Sequence, residues 1–153
     1  MSSLGKNIGA EIITRANLAA PAAEAALNGK AEDITLLGAR ANSVRGVVAI
    51  RFNADSGDTL NVSAIKLQSS VDSGFTTPVD RVTASAVVLT GADGASNADM
   101  FSEVPLDLDL TALPAAHKFL RLTATPTRSD TTNTTAAIGG VLIFGGLDDA
   151  PRT

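Results

Sequence analysis

The sequence predicts an all-β chain, an antiparallel β-sandwich or jelly-roll-like domain with an N-terminal arm containing a short helix. Three observations carry this. From Glu32 onward apolar residues recur at every second position in short runs, the period of a strand with one buried face. Polar stretches rich in Gly, Asp, Asn, Ser and Thr separate the runs at the spacing of sandwich strands. No βαβ alternation and no internal repeat is visible. The division is an arm, residues 1–31, and a sandwich domain, residues 32–153.

The arm comes first. Ile8, Ile12, Ile13 and Leu18 are apolar, but the charged and small residues between them fit no long periodic template. The segment LAAPAAEAALNG then reads as a short helix, with Pro21 in its first turn, Glu24 near its positive end and Asn28-Gly29 as its stop. Isolated helices below about 12 residues rarely persist in water. The arm must therefore dock, either on its own domain or on a neighbouring subunit.

In the domain, Ile34 and Leu36 start a strand that stops near Gly38. VRGVVAIRFNA places Val44, Val48, Ile50 and Phe52 on one face and Arg45, Arg51 and Asn53 on the other, a half-buried antiparallel strand. DSGD, residues 55–58, is a turn. LNVSAIKLQSS begins with Leu60, Val62 and Ala64 on one parity and continues with Ile65 and Leu67 on the other, which predicts a β-bulge near Ala64-Ile65. VDSGF turns tightly, and Val82, Ala84, Ala86 and Val88 mark another alternating strand. GADGASNAD, residues 91–99, is a polar loop. In VPLDLDL, Val104, Leu106, Leu108 and Leu110 point inward and Asp107 and Asp109 outward, while Pro105, lacking an N–H, places the strand at a sheet edge. Phe119–Thr125 and Ala136–Phe144 read as an antiparallel hairpin joined by the polar spacer PTRSDTTNTT. Ala136–Phe144 is apolar on both parities, with Ile138, Leu142 and Phe144 on one and Ala137, Val141 and Ile143 on the other. Such a strand belongs to the middle of a sheet or to a subunit contact. Gly139 and Gly140 within it permit a bulge or the close approach of another backbone.

Composition narrows the chemistry. The 153 residues suffice for one domain with a real core; the hydrophobic share is 44%, but the aromatic share is 3%, without Trp or Tyr. Sugar and single-strand nucleic-acid sites rely on flat aromatic platforms, and a net charge of −4 supplies no footprint for nucleic acid. No cysteine is present, so disulfides, thiolate metal sites and cysteine nucleophiles are excluded. The N-terminal stretch lacks the basic and apolar regions of a secretory signal, and no apolar run approaches the roughly 20 residues of a spanning helix. The expectation is a protein that contacts neither nucleic acid nor membrane.

No catalytic constellation is expected. His117, the one histidine, lies at a turn into a strand, and no GxSxG-type elbow accompanies it. Asp107 and Asp109 share a strand face, whereas a glycosidase pair comes from elements around a cleft; charges on an edge strand also discourage unwanted pairing. The acidic loops at Asp55–Asp58, Asp93–Asp99 and Asp148-Asp149 match no calcium-loop pattern and suit ordinary turns. The reading is no enzyme, no cofactor and no metal.

The order of segments resembles a known group. LNVSAIKLQSSVDSGFTTPVD is similar to a strand–turn–strand stretch of small tailed-phage virion proteins, matching at Ile65, Leu67, Ser69 and Phe75. AAHKFLRLTATPTRSDTTNTTAAIGGVLIFGGLDDAP resembles their closing segment, matching at Phe119, Leu120, Arg121, Leu122, Gly145, Gly146 and Pro151. Among these the capsid decoration or cement proteins are nearest in size and layout. The resemblance implies a structural virion protein, made in the bacterial host cytoplasm, that sits on the capsid surface as a homotrimer. There it binds the major capsid protein and bridges neighbouring capsomers. The interface expected on this reading combines Ile8, Ile12, Ile13 and Leu18 of the arm with Ile138, Val141 and Ile143. A head fibre base, tail component or receptor-binding module is the alternative, and a carbohydrate-binding sandwich a more distant one.

Overall fold

The computed structural model describes residues 13–21, 25–36, 41–94 and 96–145. Its strands are β1 (Ile13–Pro21), β2 (Leu27–Asn28), β3 (Glu32–Asp33), β4 (Ser43–Ala54), β5 (Thr59–Ser70), β6 (Val79–Thr83), β7 (Val87–Thr90), β8 (Ala98–Asp109), β9 (Phe119–Arg128) and β10 (Thr135–Gly145). All pairings are antiparallel. Sheet A runs β1-β10-β4-β8; sheet B runs β2-β9-β5-β6, with β3 also on β9 and β7 also on β5. Counted as single interrupted strands, β2 with β3 and β6 with β7 give the connectivity of an eight-stranded jelly roll. The expected all-β sandwich is the fold.

Strand alternation builds the core. From sheet A come Val44, Val48, Ile50, Phe52, Leu106, Ile138, Leu142 and Phe144; from sheet B come Leu60, Val62, Ile65, Leu67, Leu120 and Leu122, and all are buried. Gly46 occupies an inward position of β4 because Leu122 fills the space: a Cβ there would meet Leu122 Cδ2 at 2.7 Å. Interdigitation of this kind locks the two sheets together.

The bulge lies where alternation broke. Ser63 pairs with Thr125 and Lys66 with Thr123, so Ala64 and Ile65 together oppose Ala124. Ala64 takes up the turn at φ 49°, a left-handed conformation that costs a non-glycine residue about 1 kcal/mol. Leu60 and Val62 before the bulge, and Ile65 and Leu67 after it, thereby enter the same core. β8 is an edge strand carrying Pro105, and β10 lies between β1 and β4, both as expected.

Four expectations change. Phe119–Thr125 and Ala136–Phe144 are strands but not a hairpin: β9 belongs to sheet B and β10 to sheet A. Both carry an apolar face, and the long polar spacer lets those faces meet across the sandwich instead of lying side by side. Asp130 shapes that arch, accepting from Thr132 N at 2.7 Å and from Asn133 Nδ2 at 3.3 Å. Ile34–Leu36 is a 3-10 turn, because the Asp33 carboxylate accepts from Thr35 N (2.8 Å) and Thr35 Oγ1 (2.6 Å), a local bond that competes with strand pairing. The strand expected over Val82–Val88 is split: β6 pairs with Lys66–Ser69 and β7 with Thr59–Val62, so the gap faces the bulge of β5. Finally, the helix expected across Pro21–Asn28 does not form, since Pro21 ends β1 and Leu27–Asn28 is β2; residues 22–24 lie outside the described residues. At Gly139-Gly140 the β10–β4 register runs unbroken, and the irregularity sits in β1, between Ala16 and Leu18.

The bulge makes a direct test. Deleting Ala64 leaves Ile65 alone opposite Ala124 and keeps Leu60, Val62, Ile65 and Leu67 on one parity, so thermal unfolding followed by circular dichroism should stay cooperative; loss of the cooperative transition contradicts the two-against-one pairing. Ala64→Gly relieves the left-handed conformation and leaves the melting temperature within a few degrees of the parent, or above it.

Candidate functional site

The outward parity of sheet A builds the candidate site, and pairing register defines its rows. Across β8, β4 and β10 these are Asp107–Arg45–Ile143, Pro105–Val47–Val141, Glu103–Ala49–Gly139 and Phe101–Arg51–Ala137, then Asp99–Asn53–Thr135. The middle rows form a floor that is apolar across β4 and β10 and carries one exposed acid, Glu103, on the β8 edge. Val47, Val141 and Ile143 are half-buried, Ala49, Ala137 and Pro105 are exposed, and Phe101 stands 69% exposed at the β8 edge. Small residues at Ala49, Ala137 and Gly139 leave this floor flat.

Ion pairs frame it at both ends. Arg45 grips Asp107 with two of its three nitrogens, Nε to Oδ1 at 2.6 Å and Nη2 to Oδ2 at 2.8 Å. Arg51 holds Asp99 the same way at 3.2 and 3.1 Å, and Asn53 Nδ2 adds a bond to Asp99 Oδ1 at 3.1 Å. The hydrogen bond from Arg45 holds the Asp107 carboxyl below the usual carboxylate range, and the same bond raises the Arg45 guanidinium. Asp99 is lowered by its bonds from Arg51 and Asn53. An open groove of ≈480 Å3 lies at the Arg45–Asp107 end, lined in part by Ser43, Asp109, Ile143 and Phe144.

The expected interface residues separate. Ile8 and Ile12 lie outside the described residues. Ile13 and Leu18 belong to β1, opposite Phe144 and Gly140 of β10. Ile138 is a correction: at 1% exposure it belongs to the chain's own core, because the parity it shares with Leu142 and Phe144 faces sheet B. Val141 and Ile143 do lie on the outer face, next to Val47 and Arg45. Sequence reasoning passed over Val47, Ala49 and Phe101, and placed Ala137 on the parity of Val141 and Ile143 without naming it as a contact residue. The available signal was Val47 and Ala49 standing between Arg45 and Arg51, an apolar centre in what was taken for a polar face.

His117 is more enclosed than a turn histidine was expected to be. Its Nδ1 lies 2.9 Å from Ser69 Oγ and 3.2 Å from Arg81 Nη2. The guanidinium can only donate, so Nδ1 accepts and the ring proton sits on Nε2. Ser69 Oγ in turn accepts from Arg81 Nε at 2.6 Å, which leaves its own proton for Nδ1. Ser69 is 0% exposed, so the trio ties β5, β6 and the segment entering β9 together without presenting a hydroxyl to solvent. Asp109 caps Thr111 N at 2.8 Å, and Asp55 Oδ1 accepts from Asn97 N at 2.9 Å. These carboxylates serve turns. Among the described residues no group of three or more His, Cys, Asp or Glu could hold a metal ion.

No family model matches the chain, and neither does any curated protein.

Acid should weaken this frame. The carboxyls of Asp99 and Asp107, and of Asp80 beside Lys66, lie below their ordinary value in the folded chain. As pH falls, the unfolded chain therefore takes up protons first. The stabilisation is whole above about pH 5 and is lost as the pH drops past the ordinary aspartate value of about 3.9. Thermal midpoints should stay level from about pH 7 to 5 and fall below about pH 4. The double variant Asp99→Asn, Asp107→Asn should show a shallower fall; an unchanged slope contradicts the assignment.

Proposed function

We propose that this chain is a structural component of a tailed-phage particle, a decoration or cement protein that binds the outside of the capsid and bridges neighbouring capsomers. The observation that supports the reading best is the outer face of sheet A, a flat apolar floor framed by two fixed ion pairs. Its chemistry is that of a docking surface: an apolar centre that excludes water and a charged rim that sets orientation. The jelly roll is a scaffold common in virion proteins, though a fold alone assigns no function.

The size of the floor favours repeated contacts. Arg51 lies six steps along β4 from Arg45, about 20 Å, and three strands span roughly 15 Å, giving roughly 300 Å2. A stable pairwise contact takes about 800 Å2 per partner. A floor of this size holds firmly only when it is joined by other contacts or repeated in many copies, as on a shell. A homotrimer is part of this proposal and supplies such contacts, although the described arm residues of β1 and β2 are already paired within the chain's own sheets.

Binding tests it. The chain is added to heads of its phage prepared without it, and the bound fraction is measured by co-sedimentation. Val141→Asp and Ala49→Glu place charges on the floor without touching the core, and each should weaken binding at least tenfold while leaving the melting temperature nearly unchanged. Wild-type-like binding by both variants rejects the floor as the contact. Binding to host cells in place of heads moves the protein to a receptor-recognition role.

A further inference from the structure

A second site lies on the opposite side of the sandwich. Arg121 of β9 is paired in register with Gln68 of β5, and both point outward from sheet B, since their chain neighbours Leu67, Ser69, Leu120 and Leu122 are buried inside. A chain of contacts crosses the sheet here. Lys66 Nζ donates to Asp80 Oδ2 (2.6 Å), Gln68 Nε2 donates to Asp80 Oδ1 (2.7 Å), and Arg121 Nε donates to Gln68 Oε1 (2.9 Å). The Arg121 guanidinium then stacks on the Phe75 ring, 4.2 Å from its centroid. Phe75 is itself held in a left-handed turn at φ 51° by its bond to Asp72 O, and is 6% exposed.

Two features of Arg121 distinguish it from an ordinary surface arginine. Its orientation is fixed twice, by the Nε bond and by the ring. Among the described residues no ion pair includes it: those present are Lys30–Glu32, Arg45–Asp107, Arg51–Asp99 and Lys66–Asp80. The nearest acid in the chain of contacts, Asp80, has both oxygens occupied by Gln68 and Lys66. Burial lowers the Arg121 pKa with no counter-charge to oppose it. A half-buried cation held only by a neutral amide and a ring is costly for a fold to keep, whereas a pre-oriented guanidinium edge matches the two oxygens of a carboxylate.

We propose that Arg121 anchors a second docking site, which takes a carboxylate from an acidic side chain of a partner protein onto the outer face of sheet B. Because Nε is engaged by Gln68, the carboxylate meets the end of the fork, one oxygen on each of Nη1 and Nη2. Phe75 and Gln68 hold the fork in place beneath it. This site is independent of the sheet A floor and requires no particular identity for the particle.

The test uses the full chain labelled with 15N at arginine and sodium acetate as the probe. Side-chain resonances are followed at constant ionic strength, with sodium chloride and inorganic phosphate as parallel titrations. The expected result is a saturable shift of the Arg121 side chain with acetate, absent with chloride and weaker with phosphate. Arg121→Lys should weaken acetate binding at least about fivefold, because an ammonium offers no bidentate edge. A linear shift equal to that in chloride overturns the proposal, and tighter binding of phosphate than of acetate overturns the carboxylate assignment. The wild-type titration decides both points even if variants at position 121 uncover Phe75 and lose stability.

Discussion

A strand can hide only one of its faces inside a two-layer sandwich, and everything notable here follows from strands that carry apolar residues on both. β4 and β10 each send one parity into the core, Val48, Ile50 and Phe52 from the first and Ile138, Leu142 and Phe144 from the second. Their other parities, Val47 and Ala49 with Ala137, Val141 and Ile143, remain outside. Because β10 and β4 are hydrogen-bonded neighbours at the centre of sheet A, those residues assemble into one floor. The central position that makes β10 a core strand also makes it a surface strand.

Polar residues do the complementary work. On sheet A the arginines of β4 reach across to aspartates of β8, so the edge strand carries charge that is already neutralised. Such charges, with Pro105, discourage pairing of the free β8 edge with another strand. On sheet B the outer face is polar and cross-linked, from Lys66 through Asp80 and Gln68 to Arg121. The two outer faces therefore differ in kind, one flat and apolar, the other cationic at a single fixed point.

Much of this was legible in the sequence, for reasons that the particular residues make plain. Alternation located β4, β5, β8, β9 and β10, and the parity change at Ala64-Ile65 located the bulge, because burial on one face leaves a direct periodic record. What alternation does not record is which strands become neighbours. Phe119–Thr125 and Ala136–Phe144 satisfy a hairpin and a cross-sandwich arch equally well, and only the competition of β4, β5 and β1 for their edges decides between them. Local side-chain bonds were equally hidden: Asp33 turns Ile34–Leu36 aside from the strand their composition suggests. The site was half visible, since Val141 and Ile143 were read as contact residues, while Val47 and Ala49 were obscured by the charges on either side. Arg121 as an isolated fork depends on Phe75 arriving from a turn far away in sequence, which no spacing reveals.

A partner protein seated on the floor of sheet A would cover Ala49, and its burial can be measured. The chain contains no cysteine, so a single Ala49→Cys reports solvent access at the middle of the floor, and Ala115→Cys, in the exposed turn before β9, serves as the control. Alkylation rates are compared for the free chain and for the chain bound to phage heads. Alkylation at position 49 should slow at least tenfold on binding, with position 115 slowed far less. Equal rates at position 49 in the free and bound chain would contradict it.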